Sequence, residues 1–381
     1  MAEAYIVSAV RTPVGKRGGG LSGVHPAELG AHVLRAAVER AGVDPAAIDD
    51  VIMGCVSQVG PQSGDIARTA WLSAGLPESV PGVTIDRQRG SSQQAVHFAA
   101  QAVLSGTQDL VMAAGVENMS TIPIGASIYL GVKAGQPMPY GQGWLDRYGD
   151  QEISQFRGAQ LMAEKWGLKR LDLEEFALAS HQRALAAIEA GYFESQIAPL
   201  GDVSVDEGPR RDTSLEKMAG LKALRDGWDI TAAVASQISD GAAAVLVASQ
   251  DAVSRYGLTP LARIHTLTVT GSDPVFMLSG PIPATQKALA RAGLTIDDID
   301  VIEINEAFAP VVLAWEAETC ASPERTNPNG GAIALGHPLG ATGAVLMTKL
   351  VHELHRTGGR YGVQTMCEGG GQANATIIER V

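Results

Sequence analysis

Four residues stand beside glycine-rich turns or strand ends where side chains can do chemistry: Arg89, Asn305, His337 and Cys367. Arg89 follows the short β-rich run Val83-Thr84-Ile85. It precedes the turn Gly90-Ser91-Ser92, which opens an apolar helix through Ala95, Val96, Phe98, Ala99, Ala100 and Val103. A side chain at such a helix start meets free N–H groups and the positive end of the helix dipole, which suits a nucleophile that becomes negative. Arginine is cationic and no nucleophile, so residue and position contradict each other. His337, between Gly336 and Pro338, stands before a second helix start as Arg89 stands before the first. A histidine there serves as a general base or an oxyanion donor; the plainer alternative is a histidine packed in a turn.

Cys367 leads through Glu368 into Gly369-Gly370-Gly371. Bare glycines let a ligand approach the backbone and offer N–H groups to an oxyanion, and a thiol beside them can pass a proton. A buried structural thiol is the competing reading. Asn305, at the end of a strand over 301–304, can orient a water or bind a carbonyl oxygen, or simply cap a turn. Ser236 lies shortly before the Asp240-Gly241 pair. Arg210, Arg211, Lys217 and Lys222 cluster on an acidic chain; a phosphate-bearing ligand would suit them, as would plain solvation. Cys55 and Cys320 have no such context and read as structural or surface thiols.

The elements that must position these residues alternate between strand and helix, which predicts a sheet with helices on both faces. Strands are expected at 5–10, 51–53, 83–85 and 110–114. Helices are expected at 26–41, stopped by Gly42, at 67–74, and from 91 to about 105. From 117 to 227 the texture changes: a Gly- and Pro-rich loop over 121–150, helices at 152–166 and 173–190, then a charged run. This reads as an insertion. Residues 239–247 read as a helix start or turn feeding a strand.

The second half repeats the first. Arg40-Ala41-Gly42 with Ile48-Asp49 matches Arg291-Ala292-Gly293 with Ile299-Asp300, and Val51-Ile52 matches Val301-Ile302. The Gly90 helix start matches that at Gly340, and each helix leads through a glycine turn to a strand. Two copies of one α/β unit would bring two helix N-termini into one cleft.

At 381 residues the chain should hold roughly two to three domains. A hydrophobic share of 45% and a charged share of 18% mark an ordinary globular protein. The net charge of −12 argues against a nucleic-acid partner. Three cysteines make neither a disulfide framework nor a metal pair. There is no membrane-length apolar run, and the first strand starts too early for a signal peptide, so the expected location is cytoplasmic.

Taken together, the motifs resemble those of the thiolase family, the acetyl-CoA acetyltransferases and 3-ketoacyl-CoA thiolases. They span essentially the whole chain: V-S-A-V-R-T-P-V-G-K, G-S-S-Q-Q-A-V, G-V-E-N-M-S, D-E-G-P-R-R-D-T-S-L-E-K-M-A-G-L-K, S-D-G-A-A-A-V, N-E-A-F-A, G-H-P-L-G-A-T-G and C-E-G-G-G. The resemblance implies a thiolase-like fold: two pseudo-symmetric βαβαβαββ cores in α-β-α-β-α layers. The expected units are 1–117 plus 228–255, a loop domain at 118–227 covering CoA, and 256–381. It implies acyl transfer between a 3-ketoacyl-CoA and coenzyme A, with no covalently bound cofactor, in a homodimer or homotetramer.

By the same resemblance, His337 would activate a cysteine nucleophile and Cys367 would act as acid and base. His337 and an Asn305-held water would stabilise the enolate oxygen. The N–H groups of residues 89 and Gly369 would form a second oxyanion hole. Ala235 and Ser236 would contact the pantetheine arm, and Arg210 would lie beside the CoA nucleotide.

Two departures matter. Where the family carries cysteine, before Gly90-Ser91-Ser92, this chain carries Arg89, which cannot form a thioester. The expectation is an inactive form with one change in an otherwise intact site. Its guanidinium should turn to solvent in the cleft or find a carboxylate. A non-catalytic acyl-CoA-binding or scaffold subunit is the alternative. A ketoacyl synthase is disfavoured by Cys-Glu-Gly-Gly-Gly. In addition, Gln155-Phe156-Arg157-Gly158 stands where short-chain biosynthetic members carry His-Met, which points to a degradative enzyme with broader chain length.

Overall fold

Strand β5 (Leu110–Asn118) is buried along its whole length, as a strand covered by helices on both faces must be. The computed structural model describes residues 2–381. Its other strands are β1 (Ala4–Arg11), β2 (Gly15–Lys16), β3 (Asp50–Gly54), β4 (Gly82–Ile85), β6 (Ser239–Ser249), β7 (Ala262–Gly271), β8 (Val301–Ile304), β9 (Tyr361–Glu368) and β10 (Gln372–Arg380). They form one path, β4-β3-β5-β6-β1-β7-β10-β9-β8, with β2 beside β6.

The internal repeat is visible in this path. In the first half β3 pairs parallel with β5, β5 antiparallel with β6, and β6 antiparallel with β1. In the second half β8, β9, β10 and β7 pair in the same sequence of senses. Within the sheet the halves join through β1 and β7, where Tyr5 faces Arg263 and Ile6 faces Ala262. The outer helices repeat as well. Pro26–Ala41 and Pro281–Ala292 both start on proline and stop at a left-handed glycine, Gly42 at φ 65° and Gly293 at φ 68°.

The helices Ser91–Leu104 and Thr342–Thr357 lie between the halves and share one apolar cluster, with Ala95, Val96 and Ala99 against Ala344, Met347 and Leu350. Small residues let them approach closely: Ser92 Oγ accepts from the Ala344 N–H at 2.9 Å. On the far side of each half-sheet, separate clusters hold the outer helices, with Trp71 buried in one and Trp315 in the other. The result is the expected five-layer thiolase-like arrangement of two pseudo-symmetric cores.

The insertion departs after Asn118 and returns at Ser239, at neighbouring antiparallel strands where Asn118 faces Asp240. The stretch expected to be loop over 121–150 contains two short helices, Ala126–Lys133 and Gln142–Tyr148. Gly125 stands before the first and Gly141 before the second, where they cap, while Gly131 and Gly143 lie inside the helices. The longer helices are Gln155–Lys165 and Arg170–Glu189. Residues 239–247 are strand throughout, not a helix start. Trp228, Ile230 and Val234 pack with the inserted helices, so we propose that the insertion ends at Ser239 rather than at 227. Phe308, Ile333 and Cys367 belong to that same cluster, so the inserted helices pack on the segments that follow Asn305, precede His337 and end in the glycine run.

Candidate active site

The turn carrying Arg89 is built by its neighbours. Asp86 Oδ1 accepts from the Gln88 N–H at 2.6 Å, Ser91 Oγ accepts from the Arg87 N–H at 2.9 Å, and the Ser91 hydroxyl donates to the Gln88 carbonyl at 2.5 Å. Gln88 is held at φ 49°, a left-handed conformation unusual outside glycine. A β-carbon on Gly369 would lie 2.8 Å from Gln88 Oε1, so the glycine run after Cys367 packs directly on this turn. Gly90 leaves room for the buried Glu368 side chain, whose acid burial holds neutral up to about pH 8.

Arg89 reaches into a cavity of about 130 Å³ that it lines with His337, Ser236, Ala235, Phe308 and Gln155. Its Nη2 donates to Gln155 Oε1 at 2.6 Å, its only side-chain hydrogen bond among the described residues. Of the two expected outcomes, the guanidinium stays in the cleft; it meets no carboxylate among the described residues, and a neutral amide holds it. Burial pulls its pKa below the usual arginine value, opposed by the Cys367 thiol.

His337 is buried, and its ring is gripped from both sides. Nδ1 lies 2.6 Å from Thr342 Oγ1, and Nε2 lies 3.3 Å from Asn305 Nδ2. The Thr342 hydroxyl donates its one proton to the Pro338 carbonyl at 2.8 Å. This network assigns the His337 proton to Nδ1 and leaves the Nε2 lone pair facing Asn305. Burial and the nearby Arg89 charge push the His337 pKa down to about 3, so the ring is neutral. Ser239 Oγ fixes the His337 backbone by accepting its N–H at 3.1 Å.

Cys367, one residue before the end of β9, is fully buried, and burial pushes its thiol up to about 11 while Arg89 pulls it down. The Arg89 charge therefore acts on His337 and on Cys367 alike. Asn305 Oδ1 is buried without a partner, an acceptor available for a ligand or water. Ala235 and Ser236 are set against the Asn305 segment: the Ser236 N–H donates to the Ala307 carbonyl at 3.0 Å, and Ala235 bridges to Phe308.

Arg210 lines a second cavity, also of about 130 Å³, with Lys217, Asp212, His181, Ala235 and Gln237. Ala235 and Gln237 border both cavities, so the two lie side by side. The basic cluster does not act as a unit. Arg211 pairs with Glu189 and Lys217 with Asp212 at 2.9 Å, and Lys222 lies outside the lining. Cys55 is buried and Cys320 exposed.

Several residues that the sequence did not flag hold the site. Glu117 accepts from the N–H groups of Val56, Ser57 and Gly340, tying the first half to the turn after His337. Glu306 accepts from Ser180, Asn327 and the Ile333 N–H, fixing the segment before His337. The only available signal was their adjacency to residues already singled out, Glu306 beside Asn305 and Thr342 one turn beyond Pro338.

Fold and cleft define an acyl-transfer enzyme class, and comparison with known proteins agrees. The family description "Thiolase, N-terminal domain" matches residues 4–251 and "Thiolase, C-terminal domain" matches 258–380. The chain belongs to the thiolase family, whose class is acyl-CoA acyltransferase with coenzyme A as a substrate. It is 61% identical to a steroid 3-ketoacyl-CoA thiolase, FadA6, of Mycobacterium tuberculosis, across 100% of this chain and 95% of that protein. It is 44% identical to a β-ketoadipyl-CoA thiolase of Pseudomonas aeruginosa, across 100% and 99%. Human mitochondrial 3-ketoacyl-CoA thiolase superposes with a TM-score of 0.91 at 38% identity, over 100% and 99% of the two chains. The same human enzyme solved with CoA gives 0.90, at the same identity and coverage. Among the described residues no helix is long and apolar enough to cross a membrane.

Proposed function

We propose that the cleft is a thiolase acyl-transfer site in which Arg89 occupies the nucleophile's place, so that this chain binds CoA and acyl-CoA without forming the acyl-enzyme. One observation carries the reading. The Thr342–His337–Asn305 hydrogen-bond chain and the buried Cys367 thiol are complete around a side chain that cannot be acylated.

With a thiol in that place, the bare Nε2 of His337 takes its proton, and the thiolate attacks the keto carbon of a 3-ketoacyl-CoA. The bond between the α and β carbons breaks and leaves the acetyl-CoA enolate. Cys367 protonates the enolate, aided by a thiol pKa well above neutrality that keeps its proton in place. Nε2, once protonated, becomes a donor toward the enolate oxygen, alongside a water held by Asn305. The N–H groups of residue 89 and Gly369 donate to the oxyanion of the tetrahedral thioester intermediate.

CoA runs along the route from Arg210 through Ala235 and Ser236 to His337. The names of the two relatives, a steroid 3-ketoacyl-CoA and a β-ketoadipyl-CoA thiolase, support thiolytic cleavage as the direction. Among the described residues edge strand β4 pairs with β3 alone, and Val83 on it is 43% exposed, which supports assembly as a homo-oligomer. The experiment is a thiolysis assay of Arg89→Cys against the parent. Restored CoA-dependent cleavage supports the reading, and a folded, CoA-binding variant with no cleavage refutes it.

A further inference from the structure

We propose that Arg89 makes the inner end of the cleft a carboxylate-recognition site, so that the ligand suited to this chain is an acyl-CoA whose short acyl group ends in a carboxylate. The inference rests on the reading of the cleft as a CoA site. Three observations carry it.

The first is an unbalanced charge. Arg89 pairs with no carboxylate among the described residues, and its one hydrogen bond goes to the neutral Gln155 amide. Neighbouring Cys367 and His337 are both neutral near pH 7, and buried Glu368 holds its proton up to about pH 8. A half-buried cation without a counter-ion is costly, and an incoming anion removes that cost.

The second is donor geometry. Guanidinium has five N–H donors in a planar fork, and Gln155 takes one at Nη2. The remaining donors match the two oxygens of a carboxylate, a pairing that lysine or a neutral side chain does not reproduce. Gln155 at the start of the Gln155–Lys165 helix anchors the fork, so less freedom is lost when a ligand docks.

The third is size and direction. The cavity around Arg89 holds about 130 Å³, room for roughly ten water-sized groups at about 10–15 Å³ of such space each. Its remaining wall is apolar, with Met119, Ile124, Phe156 and Leu339. Because Ala235 and Gln237 also border the Arg210 cavity, an acyl-CoA whose CoA end lies in that cavity meets Arg89 with its acyl end. Three or four methylene-sized groups and one carboxylate fit this description; a long neutral chain does not.

The test is calorimetric titration of the full chain with CoA, butyryl-CoA and succinyl-CoA, whose acyl groups differ chiefly in the terminal carboxylate. Succinyl-CoA should bind at least tenfold more tightly than butyryl-CoA. Arg89→Met, which keeps the apolar stem, should bring that ratio to near one while CoA itself still binds. Gln155→Ala should narrow the ratio without abolishing it. If CoA binds and the two esters bind equally, the carboxylate site is overturned and the CoA reading stands. If the preference survives Arg89→Met, Arg89 is not its source and the proposal is likewise overturned. If no CoA compound binds the folded chain, both readings fall.

Discussion

His337 and Thr342 share a 2.6 Å hydrogen bond whose direction is fixed, because the Thr342 hydroxyl already donates to the Pro338 carbonyl. That single commitment places the imidazole proton on Nδ1 and leaves Nε2 as the base facing the cleft. Thr342→Val removes the acceptor and frees the tautomer. In an Arg89→Cys background it should lower kcat by about 10²-fold, with CoA affinity little changed, whereas Thr342→Ser should retain most of the rate. A steady-state split into kcat and KM checks this; an equal loss in CoA binding would point to a merely structural role.

Gly90 lies against the Glu368 carboxyl, and an added methyl there has no space without moving backbone or displacing a buried acid. Gly90→Ala should cost on the order of 2 kcal/mol in denaturant unfolding. A variant as stable as the parent would show that Glu368 moves freely.

Glu368 also sets a pH signature. Burial raises its folded pKa from 4.5 to about 8, so the folded state binds the proton more tightly than the unfolded chain does. Its contribution to stability is fully present below about pH 4.5 and is lost as pH rises toward 8. Glu368→Gln should flatten the fall in stability across that window, by at most about 1.4 kcal/mol per pH unit. Unfolding midpoints of both proteins from pH 5 to 9 check it; parallel curves would exclude the effect.

Lys349 is buried and donates to Glu303 at 2.8 Å and to the Gly330 carbonyl at 2.7 Å, holding the loop that leads to His337. Glu303 already titrates high, near 7, because burial outweighs the lysine's attraction. Lys349→Met should therefore leave Glu303 protonated and cost about 3 kcal/mol, near the low end for breaking a buried pair. Thermal and chemical unfolding measure it; a loss below about 1 kcal/mol would mean the pair is dispensable.

Much of this site was legible in the sequence, for identifiable reasons. Cys367, His337 and Asn305 are rare residue types beside glycines or strand ends, and the doubled α/β unit betrayed that two helix starts would converge. What stayed hidden depends on contacts between distant segments. Nothing local to Gln155 announces that its amide holds Arg89, 66 residues away in sequence. Glu117 likewise reads as one acid in a strand, yet it binds the backbone of Gly340. The two short helices of 121–150 were hidden because glycines and prolines lower helical propensity on average, although Gly125 and Gly141 here stand just before the helices, where they cap.

The central claim is that an intact acyl-transfer apparatus surrounds a side chain that cannot be acylated. Mass spectrometry of Arg89→Cys after brief mixing with a 3-ketoacyl-CoA tests it most directly. The account predicts one added acyl mass, mapped to the substituted position, absent from the parent and greatly reduced when His337→Ala is added. No adduct on a folded variant that binds CoA, or an equal adduct on the parent, would contradict it.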